Sequence, residues 1–268
     1  MKQRILATLT LWALIIALPY YLGNWGAFIL VALFALGSFY ELLDLMHRAG
    51  RPVDRMVAMA AFVLLLLGFM FCPPQVLPPF AIVALIFSGT MVASLLNSNV
   101  GTFSATVTPT VGCVFMLGMP FATSILLIHE FGFIPLVWVI AVAKFADVGA
   151  LLTGMWLGKH RMAPAYSPKK TWEGLAGGII LSIAVSVGFA MWLGEYLPNG
   201  LTPLVAGCFA LFIAISGVLS DLIESALKRE AKVKDSGRLI PGIGGFLDLT
   251  DSTIVAFPVA YFLIWLIV

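Results

Sequence analysis

The sequence predicts an all-α fold: a polytopic integral membrane protein with about nine transmembrane helices and a cytoplasmic N-terminus. Hydrophobic residues make up 61% of its 268 residues and charged residues only 10%, whereas a soluble domain carries roughly 25% charged residues. Apolar runs close to the ~20 residues that cross a bilayer recur along the chain. Lysine and arginine gather in alternate connections between these runs. These observations favour a membrane protein.

The predicted spans follow the apolar runs in chain order. They cover residues 5–22, 26–46, 56–71, 79–96, 110–128, 135–157, 175–197, 203–219 and 252–268. The first run follows Lys2 and Arg4 but lacks the small-x-small pattern of a cleavage site, so a retained helix is predicted instead of a secretory signal. No internal repeat or low-complexity linker is apparent, which favours one integral membrane domain over residues 1–268.

The basic residues determine the predicted orientation. If the N-terminus is cytoplasmic, the lysines and arginines of the connections all fall inside, as the positive-inside rule requires, and only Lys144 lies within a span. The long polar connections 158–174 and 220–251 then face the cytoplasm and hold most residues capable of chemistry. The substrate is therefore expected from the cytoplasm. The net charge of +2 is too small to indicate a nucleic acid partner.

An acidic and basic stripe ends the eighth predicted span. Asp221, Glu224, Ser225 and Lys228 are spaced i, i+3, i+4 and i+7, which places them on one face of a helix. Charged groups are costly in hydrocarbon, so a cluster at the edge of a membrane segment indicates a partner such as a metal, a phosphate or water. This stripe is the first candidate for an active site.

A glycine-rich loop and two further acids follow the stripe. Gly242, Gly244 and Gly245 allow close approach of a backbone whose N–H groups suit phosphate oxygens. Asp248 and Asp251, one turn apart, enter the last span. Carboxylates are the ligands that Mg²⁺ prefers, so one from each helix could hold a metal between them. The alternative is that these acids only neutralise neighbouring lysines and arginines.

A third group lies in the connection 158–174. Ser167 and Pro168 read as the N-cap and first residue of a helix, followed by Lys169 and Lys170. A helix start flanked by lysines is an anion site by charge and by dipole. A basic loop that only obeys the positive-inside rule is an equally good interpretation.

Charged residues also occur within or beside predicted spans. Lys144 and Asp147 are a base and an acid one turn apart inside the sixth span. Intramembrane charge is functional by default, and a structural pair between helices is the alternative. Glu41 and Asp44, near the end of the second span, are expected to face interfacial water.

These residues resemble the signature of the phosphatidate cytidylyltransferases, also called CDP-diacylglycerol synthases. Residues that match the signature in order and spacing are Ser225, Lys228, Arg229, Lys234, Asp235, Gly237, Pro241, Gly244, Gly245, Asp248 and Asp251. The Ser-Pro-Lys-Lys-Thr-x-Glu-Gly segment is present at 167–174, and the Asp-x-Gly-Ala element at 147–150. The chain departs from the pattern at Ile243 (usually His), Leu249 (usually Arg) and Ser220 (commonly Gly). The resemblance is strong in the carboxy-terminal half and rests on hydropathy alone in the amino-terminal third.

The resemblance implies an enzyme that transfers CMP from CTP to phosphatidate, giving CDP-diacylglycerol and pyrophosphate. Residues 1–135 would form the amino-terminal membrane helices and 136–268 the catalytic half. The implied metal ligands are Asp221, Asp248 and Asp251, and the implied catalytic residues are these three with Ser225 and Lys228. Implied substrate-binding residues are Asp147, Lys169, Lys170, Glu173, Arg229, Gly244 and Gly245.

The same resemblance implies partners and a location. Mg²⁺ is the implied cofactor, and whether K⁺ joins it stays open. The substrates would be CTP and phosphatidate in a bacterial cytoplasmic membrane, with the active site facing the cytoplasm. The oligomeric state is open, with a homodimer among the alternatives. A CTP-dependent polyprenol or phytol kinase is the nearest rival function, and an ion-coupled transporter is a more distant one.

Overall fold

The computed structural model describes residues 13–15, 17–99, 101–237 and 244–268. Half of the first predicted span (residues 5–12 and 16) lies outside the described residues, with the preceding Lys2 and Arg4. Arg238, Pro241, Gly242 and Ile243 of the glycine-rich loop lie outside them as well. The described chain is mostly helical, with one short two-stranded hairpin. Its helices are α1 (Asn24–Arg48), α2 (Arg55–Phe71), α3 (Pro79–Asn97), α4 (Phe103–Phe131), α5 (Phe133–Leu157), α6 (Trp172–Leu193), α7 (Pro203–Glu230), α8 (Phe246–Thr250) and α9 (Ala256–Trp265).

Seven helical segments of the described chain are long and apolar enough to cross a membrane. They are Asn24–Arg48, Pro79–Asn97, Phe103–Phe131, Phe133–Leu157, Trp172–Tyr196, Pro203–Glu230 and Phe246–Trp265. The predicted all-α membrane fold is therefore confirmed. The predicted count of about nine is not confirmed, because α2 has only 17 residues and half of the first run falls outside the described residues.

The predicted helix start at Ser167 and Pro168 is wrong. Residues Ser167–Thr171 form strand β2, which pairs antiparallel with β1 (Arg161–Ala163) in a two-stranded hairpin. Helix α6 begins at Trp172, and the Thr171 hydroxyl caps it by accepting a hydrogen bond from Gly174 N at 3.1 Å. Pro168 has no backbone N–H, so it fits a short edge strand as readily as a helix start.

The chain contacts divide the protein into two compact units. Unit 1 contains the described residues within 1–129 and 227–250, and unit 2 contains residues 130–226 and 251–268.

Unit 1 has a packed aromatic centre and a polar junction. The rings of Phe39 on α1 and Phe62 on α2 stack with centroids 3.9 Å apart. Asp54 caps α2 by accepting from Val57 N, and its backbone N–H donates to Thr110 on α4 at 3.0 Å. Asp54 thereby caps the start of α2 and ties it to α4.

Unit 2 is held by close contact between α5 and α6. A Cβ at Gly149 would meet the Gly177 carbonyl oxygen at 2.8 Å, so the helices approach through glycine. Polar side chains join the helices as well. The Ser182 hydroxyl donates to the Val142 carbonyl at 2.9 Å, and the Trp138 indole N–H donates to the Ser186 hydroxyl at 2.9 Å.

Candidate active site

Three carboxylates meet in unit 2. Asp221 and Glu224 lie one turn apart on α7, and Asp251 begins the short 3₁₀ turn that precedes α9. One oxygen from each lies within 4.8 Å of the others. Glu224 is fully buried, whereas Asp221 and Asp251 are partly exposed. The sequence predicted that acids from two separate helical segments would meet, and the structure brings Asp221 and Asp251 together in this way.

Glu224 completes this carboxylate cluster, and the sequence interpretation had not named it as a metal ligand. The signal was present in the i, i+3 spacing of Asp221 and Glu224, which places both side chains on one helix face. The predicted third ligand was Asp248. That residue belongs to unit 1, and its contacts are described below.

Two lysines of unit 2 pair with the carboxylate cluster. Lys170 Nζ, from β2, lies 2.6 Å from Asp221 Oδ2 and also donates to the Val218 carbonyl at 3.2 Å. Lys144 Nζ, from α5, lies 3.0 Å from Asp251 Oδ1 and 3.7 Å from Asp147 Oδ2. The predicted Lys144 and Asp147 pair therefore exists, but the closer partner of Lys144 is 107 residues away.

Serine hydroxyls fix the acids on this side of the site. Ser225 Oγ donates to Asp221 Oδ1 at 3.3 Å, consistent with the i, i+4 spacing. Ser220 Oγ donates to the Asp251 carbonyl oxygen and accepts from Val255 N at 3.3 Å. Ser220 therefore joins α7 to the turn that carries Asp251. The family pattern commonly has glycine here, which cannot make either contact.

The donor set suits a hard divalent cation. When ionised, the carboxylates of Asp147, Asp221, Glu224 and Asp251 carry two more charges than the ammonium groups of Lys144 and Lys170 balance. Carboxylate oxygens are the ligands that Mg²⁺ prefers. Three of them lie close enough together to share one ion. The residues therefore fit the cation that the resemblance implies.

A second polar centre lies in unit 1. Lys228 Nζ, from α7, lies 2.9 Å from Asp248 Oδ1 on α8, and both side chains are largely buried. Asp248 Oδ2 accepts from Ser236 N at 3.0 Å and from Gly245 N at 2.9 Å. Both oxygens of Asp248 are thus engaged within this unit, and its carboxylate caps the start of α8.

Gly244 and Gly245 are shaped by the acids around them. Gly244 has a φ of 124°, which favours glycine, and a Cβ there would meet Asp248 Oδ2 at 2.7 Å. A Cβ at Gly245 would collide with the carboxylate of Glu41. At both glycines the loop backbone therefore lies directly against a carboxylate of another residue, Asp248 or Glu41.

The expectation that Glu41 faces interfacial water is wrong. Glu41 is 3% exposed, and its carboxylate accepts hydrogen bonds from Ser236 Oγ at 2.8 Å, Phe246 N at 3.1 Å and Leu247 N at 2.9 Å. Sequence reasoning missed it because its partners lie about two hundred residues away. Asp44 is partly exposed and pairs with Arg48 at 2.7 Å.

The remaining predicted binding residues lie at the hairpin and at the end of α7. Glu173 accepts hydrogen bonds from Lys159 N at 3.1 Å and His160 N at 3.2 Å, and contacts His160 Nδ1 at 2.5 Å. Its carboxylate thus braces the start of the hairpin. Lys169 and Arg229 are exposed at the surface.

A family model described as "Cytidylyltransferase family" matches residues 2–267. The chain belongs to the cytidylyltransferase family. The resemblance read from the motifs is confirmed by this match and by relatives named phosphatidate cytidylyltransferase. The relative from Bacillus subtilis (strain 168) is 38% identical over 137 residues, which is 51% of this chain and 49% of the relative.

Two more relatives of this chain are also named phosphatidate cytidylyltransferase. The one from Synechocystis sp. is 43% identical over 122 residues, covering 46% of this chain and 40% of the relative. The one from Mycobacterium tuberculosis (strain ATCC 25618 / H37Rv) is 36% identical over 122 residues, covering 46% of this chain and 36% of the relative. The matched segments therefore span half or less of the relatives' own length.

Proposed function

We propose that this protein transfers CMP from CTP to phosphatidate, giving CDP-diacylglycerol and pyrophosphate for phospholipid synthesis. The observation that carries the proposal is the cluster of Asp221, Glu224 and Asp251 with its two paired lysines, in a membrane chain of the cytidylyltransferase family. Relatives named for this activity support the substrate pair. The apolar helices are long enough to cross a membrane, and a protein embedded there can reach a lipid substrate.

The chemistry requires little acid–base catalysis. A phosphatidate oxygen, already anionic near neutral pH, attacks the α-phosphorus of CTP. The bond between that phosphorus and the oxygen bridging to the β-phosphorus breaks, and pyrophosphate leaves with the electron pair. The protein must reduce repulsion between two anions and align them in line.

The carboxylate cluster is the proposed cation site. Asp221, Glu224 and Asp251 would hold Mg²⁺, which when bound neutralises phosphate charge and favours departure of pyrophosphate. K⁺ as a second cation and the metal role of Asp248 remain predictions. Asp147 pairs with Lys144 beside the cluster and is proposed to line the same polar pocket.

The lysines and serine are proposed to bind and orient the nucleotide. Lys170 lies 2.6 Å from Asp221, so it can turn from the carboxylate to a phosphate without leaving the site. Lys144 holds Asp251 in place, and Ser225 holds Asp221. Lys169, Lys228 and Arg229 as anion binders, Gly244 and Gly245 as a backbone cradle, and Glu173 as a pocket residue remain predictions.

The proposed location is the cytoplasmic membrane of a bacterium, with the active site facing the cytoplasm. Bacterial relatives and the one-sided distribution of lysine and arginine support it. A homodimer remains a prediction.

A label-transfer assay on the purified protein tests the function. With phosphatidate and Mg²⁺, label from α-³²P-CTP should enter the lipid fraction, and label from γ-³²P-CTP should leave as pyrophosphate. Omitting phosphatidate or chelating Mg²⁺ should abolish the transfer. Transfer of the γ-label to a polyprenol or phytol would identify the rival kinase, and no α-label in lipid would refute the proposal.

A further inference from the structure

Glu41 belongs to a stripe of α1 that receives the segment carrying Asp248. Phe34, Gly37, Ser38 and Glu41 are spaced i, i+3, i+4 and i+7, which is one face of the helix. The Phe34 ring meets Phe246 edge to face at 5.6 Å. The other three stripe residues also contact α8. The helix against which α8 packs is therefore α1, which contains none of the family motifs.

Each stripe position has a distinct fit to α8. A Cβ at Gly37 would strike the Phe246 ring at 2.5 Å, so glycine lets the ring settle against the helix. Ser38 Oγ and Thr250 Oγ1 are hydrogen bonded at 2.9 Å, with both residues buried. The Glu41 carboxylate accepts hydrogen bonds from the backbone N–H groups of Phe246 and Leu247. These N–H groups lie in the first turn of α8 and have no partner within the helix.

Glu41 also reaches the chain on the other side of residues 238–243, which lie outside the described residues. Its Oε2 accepts from Ser236 Oγ at 2.8 Å. A Cβ at Gly237 or at Gly245 would collide with its carboxylate, so the chain approaches Glu41 through glycine on both sides. One carboxylate thus joins the two ends of the glycine-rich segment.

The contacts continue from Glu41 to the Lys228–Asp248 pair. Ser236 gives its hydroxyl to Glu41 and its backbone N–H to Asp248 Oδ2 at 3.0 Å. Asp248 Oδ1 in turn accepts from Lys228 Nζ at 2.9 Å. A shift of Glu41 therefore moves both the residue that orients Asp248 and the helix that carries it.

We propose that Glu41 is a positioning residue that holds the Lys228–Asp248 pair in its working geometry. This inference rests on the proposed function and on the prediction from the motifs that Lys228 and Asp248 serve nucleotidyl transfer. A carboxylate is required because each described hydrogen bond to Glu41 comes from an N–H or O–H donor. Gln offers one acceptor oxygen and an NH₂ group that opposes those donors.

The test compares Glu41→Gln, Glu41→Asp and Ser236→Ala with the control Asp44→Asn, which changes a partly exposed carboxylate on the same helix. We expect Glu41→Gln to lower kcat for CMP transfer by about 10- to 100-fold. Glu41→Asp, which keeps the charge and both acceptor oxygens, should restore part of the rate. Asp44→Asn should stay near the wild-type rate.

A double-variant cycle separates positioning from general stability. If Glu41 acts through the Lys228–Asp248 pair, Glu41→Gln should cost less than about 3-fold in a Lys228→Met background. An equal loss in both backgrounds, or a wild-type rate in Glu41→Gln, would overturn the proposal. If Lys228→Met leaves no measurable rate, a Glu41→Asp variant no more active than Glu41→Gln would overturn it.

A readout that does not depend on the reaction keeps the two proposals apart. The thermal unfolding midpoints of Glu41→Gln, Ser236→Ala and the double variant in detergent should be non-additive, because the residues share one hydrogen bond. Additive shifts would refute the contact itself. A wild-type protein without CMP transfer would instead refute the proposed function, whatever these midpoints show.

Discussion

Asp221→Asn removes one negative charge from the carboxylate cluster while keeping the shape of the side chain. In the structure Asp221 Oδ2 lies 2.6 Å from Lys170 Nζ, and Oδ1 accepts from Ser225 Oγ at 3.3 Å. The oxygen of Asn can still accept a hydrogen bond from Lys170, and its NH₂ group can donate to the Ser225 hydroxyl. The substitution therefore tests the charge of the site more than its packing.

The magnitude follows from the geometry of the pair. Two unit charges 2.6 Å apart attract by about 6 kcal/mol at an effective dielectric constant of about 20. Desolvation offsets much of this, and removing one partner of a buried pair costs about 3–5 kcal/mol. The side chains of Lys170 and Asp221 are still 21% and 24% exposed, so the lower end of that range applies to stability.

Activity should fall by a comparable free energy. With one of three clustered carboxylates lost, we expect CMP transfer to drop at least about 100-fold at millimolar Mg²⁺, equivalent to about 2.7 kcal/mol of transition-state stabilisation. Raising Mg²⁺ should recover part of the rate, because a weakened cation site is refilled by mass action.

The assay measures the rate of α-label transfer against Mg²⁺ concentration for wild type, Asp221→Asn and Asp44→Asn. Asp44 pairs with Arg48 at the surface, so its loss should change the rate little. Mn²⁺ binding followed by electron paramagnetic resonance gives a direct measure of the cation site. An Asp221→Asn variant that keeps half of the wild-type rate and binds Mn²⁺ equally well would refute the assignment of the cation to this cluster.

Two further predictions concern the hairpin and the start of α6. Lys170→Met should raise the KM for CTP about 10-fold or more, because Lys170 pairs with the carboxylate cluster. Lys169 is exposed, so Lys169→Met should change the KM less than about 3-fold. Equal changes in a CTP titration would show that Lys170 contributes no more to nucleotide binding than Lys169. Thr171→Ala removes the cap of α6 and should lower stability by about 1 kcal/mol, or about 2–4 °C in the unfolding midpoint in detergent. An unchanged midpoint would contradict the capping role.

Local spacing along the sequence was sufficient for the parts of the site that lie on one helix. Asp221, Glu224 and Ser225 share a face of α7 because a helix repeats every 3.6 residues, whatever surrounds it. The apolar runs likewise predicted membrane helices, because bilayer thickness alone sets their length. The helix start predicted at Ser167 is a strand because serine and proline suit both a strand edge and a helix start.

The partners of these residues depended on packing between distant parts of the chain. Lys144 meets Asp251 across 107 residues, and Glu41 meets Ser236 across 195. The helical periodicity of the sequence does not predict such contacts. It indicates which face of a helix a side chain occupies, but not which other helix packs against that face. The sequence alone therefore determined the family, the membrane-spanning class and the acids of α7. Only the tertiary structure decided that Lys144 pairs with Asp251 and that Glu41 is buried, because burial and charge pairing arise from packing.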